Sequence, residues 1–437
     1  MRAVLAWLGV IVVGTGLLRL PAASTGEALT MIDALFTSTS ALCVTGLSTV
    51  TVGERLSPFG QVVLLSLIQL GGLGITTLST FMLVAAGRAT LSHQLAAKDT
   101  LAAVRMNPMR LIWLVIAVTV TAEVAGTVAL KSFLGAGTGW WVAAFHSVSA
   151  FCNAGFSLFP DSMVAHRGTA PVNVTLSILI IAGGLGFIAI HQIGSWLWRV
   201  VRRNRQRMFL HARTTILMSL ALWVLGMLLF GVLEWDGAMA DLPVRERLWS
   251  AWFQSVTTRT AGFNTLEFSR LREPTLFFTM FLMLVGGAPG GCAGGIKVTT
   301  FAVLLAAVRA RLSGTQQMAM LRRKLPPEIV ERSFLLVALS VFFLTIVVSG
   351  LLLTEEMRPV SDVRSDRYLL LAFEAVSAFG TVGLSAGITA DLSTGGKLLI
   401  IVCMFIGRLG PLGVALAVLR PKRPPPFEYP VEELAIG

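Results

Sequence analysis

The chain has 437 residues, 55% of them hydrophobic and 13% charged, with a mean hydropathy of +0.77 and a net charge of +12. A soluble domain carries about 25% charged residues, so this composition excludes one and describes a multi-span membrane protein. The positive charge would suggest nucleic acid in a soluble chain, but here it lies in blocks between apolar runs, the pattern that sets membrane orientation.

The first apolar run, roughly Val4–Leu20, follows Arg2. The small-residue stretch Leu20–Ser24 resembles a signal-peptide boundary, but Arg19 interrupts it, and the run reads as a first transmembrane helix. Further first spans of a repeated unit are expected at about Met109–Lys131, Ala212–Glu234 and Arg332–Thr354. Leu111–Leu130, Val172–Trp198, Thr215–Leu233 and Phe334–Leu353 each have the length and apolarity a crossing needs.

A short motif recurs four times: Ser40–Ser48, Ser149–Ser157, Thr257–Asn264 and Ser377–Ser385. Its glycines, Gly46, Gly155, Gly262 and Gly383, lie 109, 107 and 121 residues apart. An apolar run with a glycine cluster follows each: Gly71–Gly74, Gly183–Gly186, Gly286-Gly287 and Gly407–Gly410, beginning 25, 28, 24 and 24 residues on. The segments before the motif, Ala28–Leu42, Trp140–Phe151, Val244–Thr258 and Arg367–Phe379, are too short to cross a bilayer and suit re-entrant helices.

The expected fold is an all-α polytopic membrane protein. It has four pseudo-repeats of helix, re-entrant pore helix with filter loop, and helix around one central pore, with eight full transmembrane spans. The repeats divide as 1–86, 87–201, 202–312 and 313–420, leaving a cytoplasmic tail at 421–437. Basic connections at Gly87–Arg110, Arg199–Arg213, Arg309–Arg332 and Arg420–Arg423 alternate with acidic or mixed ones containing Glu234, Asp236, Glu355 and Glu356. By the positive-inside rule both termini are cytoplasmic.

A dehydrated cation needs a ring of oxygens, and four loops around one axis can supply backbone carbonyls. Glycine permits the positive φ such a loop requires. The expected potassium-binding residues are Val44, Thr45 and Gly46; Asn153, Ala154 and Gly155; Thr260, Ala261 and Gly262; and Thr381, Val382 and Gly383. Short helices ending at these loops would aim their negative dipole ends at the cation. Asp33 and Glu374 are either acids that concentrate cations near the mouth or ordinary helix-start and packing partners.

The third apolar run contains Gly286, Gly287, Pro289, Gly290, Gly291, Gly294, Gly295 and Lys297. It lacks the Gly-Lys-Ser/Thr series of a phosphate-binding loop, because Ile296 separates Gly295 from Lys297. Mid-span glycine and proline break the helix, leaving either a mobile constriction or a static kink. Arg408 stands inside the fourth glycine cluster, where an intramembrane guanidinium marks function, opposing cations or bonding the broken segment's free carbonyls. Glu123 reads as a scaffold partner, and His146 and His191 as packing residues. Cys43, Cys152, Cys292 and Cys403 lack disulfide-framework or metal spacing.

These motifs resemble the Trk/Ktr/HKT superfamily of potassium transporters, most closely its bacterial KtrB branch. The resemblance covers nearly the whole chain and is strongest at Thr39–Ser48, Phe59–Thr77, Gly286–Val303 and Phe405–Val414, with Phe427–Pro430 as a closing match. It implies potassium uptake across the bacterial inner (plasma) membrane by a homodimer with one pore per protomer. It makes Gly286–Lys297 an intramembrane gating loop with Arg408 as its partner. It also implies a cytosolic nucleotide-binding ring of the KtrA/TrkA (RCK) type, which would bind ATP or ADP. No cofactor is expected on this chain; potassium is the substrate and sodium a possible coupling ion. Sodium-favouring relatives replace the first filter glycine with serine, whereas Gly46 stands here. A secondary transporter with a midplane site would more usually have two repeats, and an intramembrane enzyme would need a polar catalytic set that the loops lack.

Overall fold

A computed structural model describes residues 2–73, 108–135, 137–203, 208–315, 317–355 and 367–410. Most of the Gly87–Arg110 connection, the Glu356–Asp366 connection, the first two repeat boundary residues 86 and 87, and the tail from Pro411 with its Arg420–Arg423 and Phe427–Pro430 lie outside the described residues.

The described chain is predominantly helical. One order of elements occurs four times: a helix, a short helix, a loop, and a further helix. The first unit contains α1 (Arg2–Leu18), α2 (Met31–Leu42) and α3 (Pro58–Gly72). The second contains α4 (Pro108–Phe133), α5 (Trp140–Phe151), α6 (Ala170–Leu185) and α7 (Phe187–Val201). The third contains α8 (Leu210–Leu233), α9 (Val244–Thr257), α10 (Glu273–Leu284) and α11 (Val298–Leu312). The fourth contains α12 (Pro327–Glu355), α13 (Arg367–Gly380) and α14 (Thr394–Leu409). A hairpin of two-residue strands, β1 (Ala319–Met320) and β2 (Arg323–Lys324), joins α11 to α12 and was not expected from the sequence.

Local chemistry sets where these helices start, and α2 begins at Met31, three residues after the Ala28 expected. Thr30 caps α2 by accepting from the Asp33 amide, while Ser57 and Ser393 accept from Gly60 and Gly396 to cap α3 and α14. Proline occupies the first turn of α3, α6 and α10, where its missing N–H costs nothing.

Among the described residues, Ile112–Phe133, Leu210–Leu233 and Pro327–Glu355 are long and apolar enough to cross a membrane as single helices. Their exposed faces carry large apolar side chains such as Trp113, Val124, Leu220, Leu228, Phe342 and Ile346, as lipid contact requires. The Val172–Trp198 run is not one straight span. α6 and α7 meet at Gly186 with a bend of 100°, and Gly186 has φ +81°. The glycine cluster Gly183–Gly186, expected inside one continuous apolar span, is the place where the helix breaks. α14 likewise stops at Leu409, followed by Gly410 at φ +80°. Gly/Pro breakage is thus not confined to the third unit.

The short helices are the centre of the packing. α2, α5, α9 and α13 are each buried over most of their C-terminal halves. Three are pinned to the first helix of their unit by a serine at one shared position. Ser38 Oγ donates to Ile11 O at 3.0 Å, Ser147 Oγ to Glu123 O at 2.7 Å and Ser255 Oγ to Trp223 O at 2.5 Å. Gly14, Gly126 and Gly226 lie opposite these serines, where any Cβ would collide with the hydroxyl.

Two buried carboxylates fasten the ends of the long helices α8 and α12. Glu234 accepts from the Arg272 amide at 2.9 Å, from the Ala238 amide at 3.0 Å and from Thr275 Oγ1 at 2.5 Å. Glu355 accepts from the Ser393 amide at 3.1 Å and from Ser393 Oγ at 2.5 Å. Each supplies acceptors at the amino end of the next apolar helix, α10 or α14, whose first amides have no intrahelical partner. Replacing Glu355 with Ala leaves these donors buried and unpaired, so the unfolding free energy should fall by about 1–3 kcal/mol. Thermal unfolding of the detergent-solubilised protein should show a lower midpoint for Glu355→Ala than for Glu355→Gln.

Candidate ion-conducting site

The four short helices end directly before the four loop glycines, so their carbonyl ends converge on one place. The backbone there alternates. Val44, Asn153, Thr260 and Thr381 have φ between +49° and +67°, and Gly46, Gly155, Gly262 and Gly383 have φ between +71° and +95°. The residues between them, Thr45, Ala154, Ala261 and Val382, do not adopt positive φ. A side chain at the glycines would be strained by φ alone.

Contact imposes a second demand on the same glycines. A Cβ added at Gly46 would meet Ala154 O; one at Gly155 would lie 2.7 Å from Ala261 O; one at Gly262 would lie 2.7 Å from Val382 O; and one at Gly383 would meet Thr45 O. Each unit's glycine therefore packs against a carbonyl of a neighbouring unit, and the four contacts close a ring. A cavity of about 340 Å³ ends on all four glycines and is otherwise lined by residues following them, including Ser48, Ser157, Asn264 and Ser385. Carbonyls held around one centre by four helix ends can replace the water shell of a cation.

Behind the ring, the first of the paired hydrogen bonds differs in one unit. Thr45 N, Ala154 N and Val382 N donate to the carbonyls of Ser40, Ser149 and Ser377, five residues back, whereas Ala261 N donates to Thr257 O, four back. The third unit is thus one residue shorter here. Three polar side chains at one matched position hold the strand leaving the ring. His146 Nε2 bonds Ser157 Oγ at 2.9 Å, and Glu374 accepts from Thr389 Oγ1 at 2.9 Å and the Ala386 amide at 3.1 Å. Gln254, with its amide oriented to suit its neighbours, accepts from the amides of Thr265 at 3.0 Å and Leu266 at 2.8 Å.

The Val285–Lys297 segment is a loop between α10 and α11 whose arms meet in a parallel bridge, Val285 to Ile296. Gly286 N donates to Ile296 O at 2.9 Å and Ile296 N to Leu284 O at 3.2 Å. The broken second unit receives the loop: Ala288 N donates to Gly184 O at 2.9 Å, Cys292 N to Gly183 O at 3.1 Å, and Phe187 N to Gly290 O at 3.1 Å. Arg408 from the fourth unit donates through Nη1 to Cys292 O and through Nη2 to Gly71 O at 2.5 Å. Cys292 Sγ reaches Gly72 O in the first unit at 3.1 Å. Lys297 Nζ turns back onto Ala293 O at 2.7 Å. Carbonyls at the ends of α3 and α6 and on the loop itself are thereby satisfied.

A family model described as TrkH, cation transport protein, matches residues 1–424. The chain belongs to the TrkH family of cation transport proteins. It is 36% identical to the Ktr system potassium uptake protein B of Bacillus subtilis, over 98% of this chain and 94% of that protein. It is 38% identical to the protein of the same name from Vibrio alginolyticus, over 99% and 94%. It is 35% identical to the potassium/sodium uptake protein NtpJ of Enterococcus hirae, over 98% and 94%. The crystal structure of the potassium transporter TrkH from Vibrio parahaemolyticus matches with a TM-score of 0.71 and 19% identity, covering 95% of this chain and 84% of that one, which shows a shared fold. The TrkH-family activity is transport and not catalysis.

In this TrkH-family chain eight of the twelve loop residues singled out by sequence, the four glycines with Thr45, Ala154, Ala261 and Val382, make the ring contacts, Val44, Asn153, Thr260 and Thr381 directly precede them, and Arg408 meets the Gly286–Lys297 segment. Asp33 and Glu374 do not face the mouth. Glu374 is wholly buried in its bonds to the following loop, and Asp33 pairs with Lys397 Nζ at 3.1 Å. Glu123 lies 3.8 Å from Cys152 Sγ, inside the scaffold. His191 lies on the wall of a separate cavity of about 600 Å³ beside Trp198 and Arg199. The four cysteines are buried and form no disulfide. Among the described residues, no group of three or more His, Cys, Asp or Glu could hold a metal ion. Sequence reasoning missed Gln254, Arg259, Lys397 and the two clasping glutamates. For Gln254 the signal was available, because it stands three residues before Thr257, as His146 and Glu374 do before Ser149 and Ser377.

The Asp33–Lys397 pair joins the first unit to the fourth. Burial works to raise the Asp33 pKa, but hydrogen bonds from Thr30, Thr49 and Lys397 and the lysine charge outweigh it, and the net pKa lies below the usual 3.8. A depressed carboxylate pKa contributes stability above the unfolded value and loses it as pH falls through the folded one. The melting temperature of the wild type should therefore drop more steeply than that of Asp33→Asn as the pH is lowered below about 4, and the two should be parallel between pH 6 and 8.

Proposed function

We propose that the chain takes up potassium across the plasma membrane through a selectivity filter of backbone carbonyls from four loops. The observation that carries this reading is the closed ring, in which the glycine of each unit rests on a carbonyl of its neighbour. The filter residues are Val44-Thr45-Gly46, Asn153-Ala154-Gly155, Thr260-Ala261-Gly262 and Thr381-Val382-Gly383. The names of the Bacillus and Vibrio relatives support potassium as the cargo, and that of NtpJ is consistent with sodium as a coupling ion. All four units keep glycine at the ring, which favours potassium over sodium.

The loop from Gly286 to Lys297 is the gate. It sits at the ends of the neighbouring helices, and Arg408 is the partner that holds it there. The architecture is four repeats with eight crossings, counting each broken pair of helices as one, and both termini are cytoplasmic by charge. The protein acts as a homodimer with a cytosolic nucleotide-binding ring as regulator. That the relatives belong to a named system supports such a partner, and ATP or ADP then belongs to the ring.

The decisive experiment is flux of potassium, rubidium and sodium into liposomes containing the purified protein. A protein that carries none of the three, with or without a cytosolic partner, overturns the reading. Gly383→Ser or Gly46→Ser should lower the potassium-to-sodium ratio, because a side chain there displaces the neighbouring carbonyl. Reversal potentials under mixed-ion gradients check this. Arg408→Ala should raise basal potassium flux, since it frees Cys292 O and Gly71 O together. Losing these two charge-assisted bonds, worth about 1.5–3 kcal/mol each, predicts roughly tenfold or more.

A further inference from the structure

Arg259 is 5% exposed and immediately precedes Thr260 of the third ring segment. The residues at this place in the other units, before Val44, Asn153 and Thr381, are Cys43, Cys152 and Gly380. They are small where neighbouring chain presses in. A Cβ at Gly380 would lie 2.7 Å from Met283 O, and one at Gly72 would strike Cys152 Sγ. In the third unit the corresponding space is filled by a guanidinium. Its Nη2 donates to Gly286 O at 2.6 Å, and its Cζ lies 5.7 Å from the centre of the Trp223 ring. Its Nη1 is buried with no partner among the described residues.

A buried guanidinium facing a carbonyl and an indole, with no carboxylate bonded to it among the described residues, carries a desolvation cost that packing alone does not offset. The group it holds is the first carbonyl of the loop, at the point where the two arms join through Gly286 N and Ile296 O. Arg408 holds the middle of the same loop, at Cys292 O, from a different unit. The loop therefore has two clasps. One comes from the fourth glycine cluster and the other from the ring itself.

We propose that Arg259 is a positioning residue that ties the base of the loop to the third ring segment, so that displacement of the loop disturbs cation selectivity as well as flow. This rests on the filter-and-gate reading above. Its unpartnered Nη1 is a donor for a loop carbonyl that comes within reach when the loop shifts. Arg408, which ties the loop to Gly71 at the end of α3 and to no ring segment, alters flow without altering selectivity.

The test compares full-length wild type with Arg259→Met and Arg259→Lys. Two quantities are measured: hydrogen exchange over residues 284–297, and the potassium-to-sodium flux ratio in liposomes. In Arg259→Met, the amides of Gly286 and Ile296 should exchange about tenfold faster or more, the shift expected from losing one charge-assisted bond. The flux ratio should fall several-fold, and Arg259→Lys should be intermediate in both. Unchanged exchange in a folded Arg259→Met refutes the clasp. Faster exchange with an unchanged flux ratio refutes the coupling. Should the methionine variant not fold, Arg259→Lys decides on the same two readouts, with wild-type values in both as the refuting result. Wild-type protein that carries no potassium refutes the filter-and-gate reading, while exchange still judges the clasp.

Discussion

The contact of a glycine in one unit with a carbonyl oxygen of the next constrains everything else in the molecule. It tolerates no Cβ and leaves little latitude for the helices that deliver it. Four short helices must deliver their loops to one ring, yet their negative ends repel. They are held there by a surrounding frame. Serines bind three of them to the first helix of their own unit, and His146, Gln254 and Glu374 tie them to the chain that leaves the ring. A cation at the centre would relieve the same repulsion, which links the frame's purpose to the proposed cargo.

The same close approach explains why helices end where they do. A Cβ at Gly71, Gly183 or Gly407 would strike the last carbonyls of a short helix, those of Leu42, Phe151 and Phe379. Glycine admits the contact, and in the second and fourth units it also permits the turn that stops the helix. The third unit departs most. Its apolar helix α10 is only 12 residues long, and the chain then passes through the space that the others leave. Backbone at this depth must find partners inside the protein. The loop finds them on Gly183 and Gly184, on Arg259, and on Arg408, which bridges it to Gly71.

Much of this was legible in the sequence because it rested on periodic or local chemistry. The helix Trp140–Phe151 has the bounds expected for the short segment before the repeated motif, and the ring glycines recur at nearly even spacing. What the sequence left open depended on direction and distance. Apolar continuity across Val172–Trp198 gives no sign of the 100° bend, because hydrophobicity carries no information about φ at Gly186. Asp33 and Glu374 look alike as acids near a loop; only packing shows that one is paired with a lysine and the other is enclosed by hydroxyls. Arg259 stands inside the repeated motif, where similarity among the four segments draws attention to the shared glycine and away from the odd side chain.

Asp33 and Lys397 stand 364 positions apart in the chain, and the last ring contact sets Gly383 against Thr45 in the same pairing of first and fourth units. During synthesis the opening three units must therefore wait in the bilayer with one seam unsealed. Until the last helices insert, that seam leaves the Thr45 carbonyl uncovered and the Asp33 carboxylate without its lysine. Such long-range closure is slow to form, and an incomplete chain with an open edge invites association with the wrong neighbour. Closure of the ring therefore waits for the fourth unit to meet the first, and a chain cut before Val382 lacks two of the four contacts, those of Gly262 with Val382 and of Gly383 with Thr45.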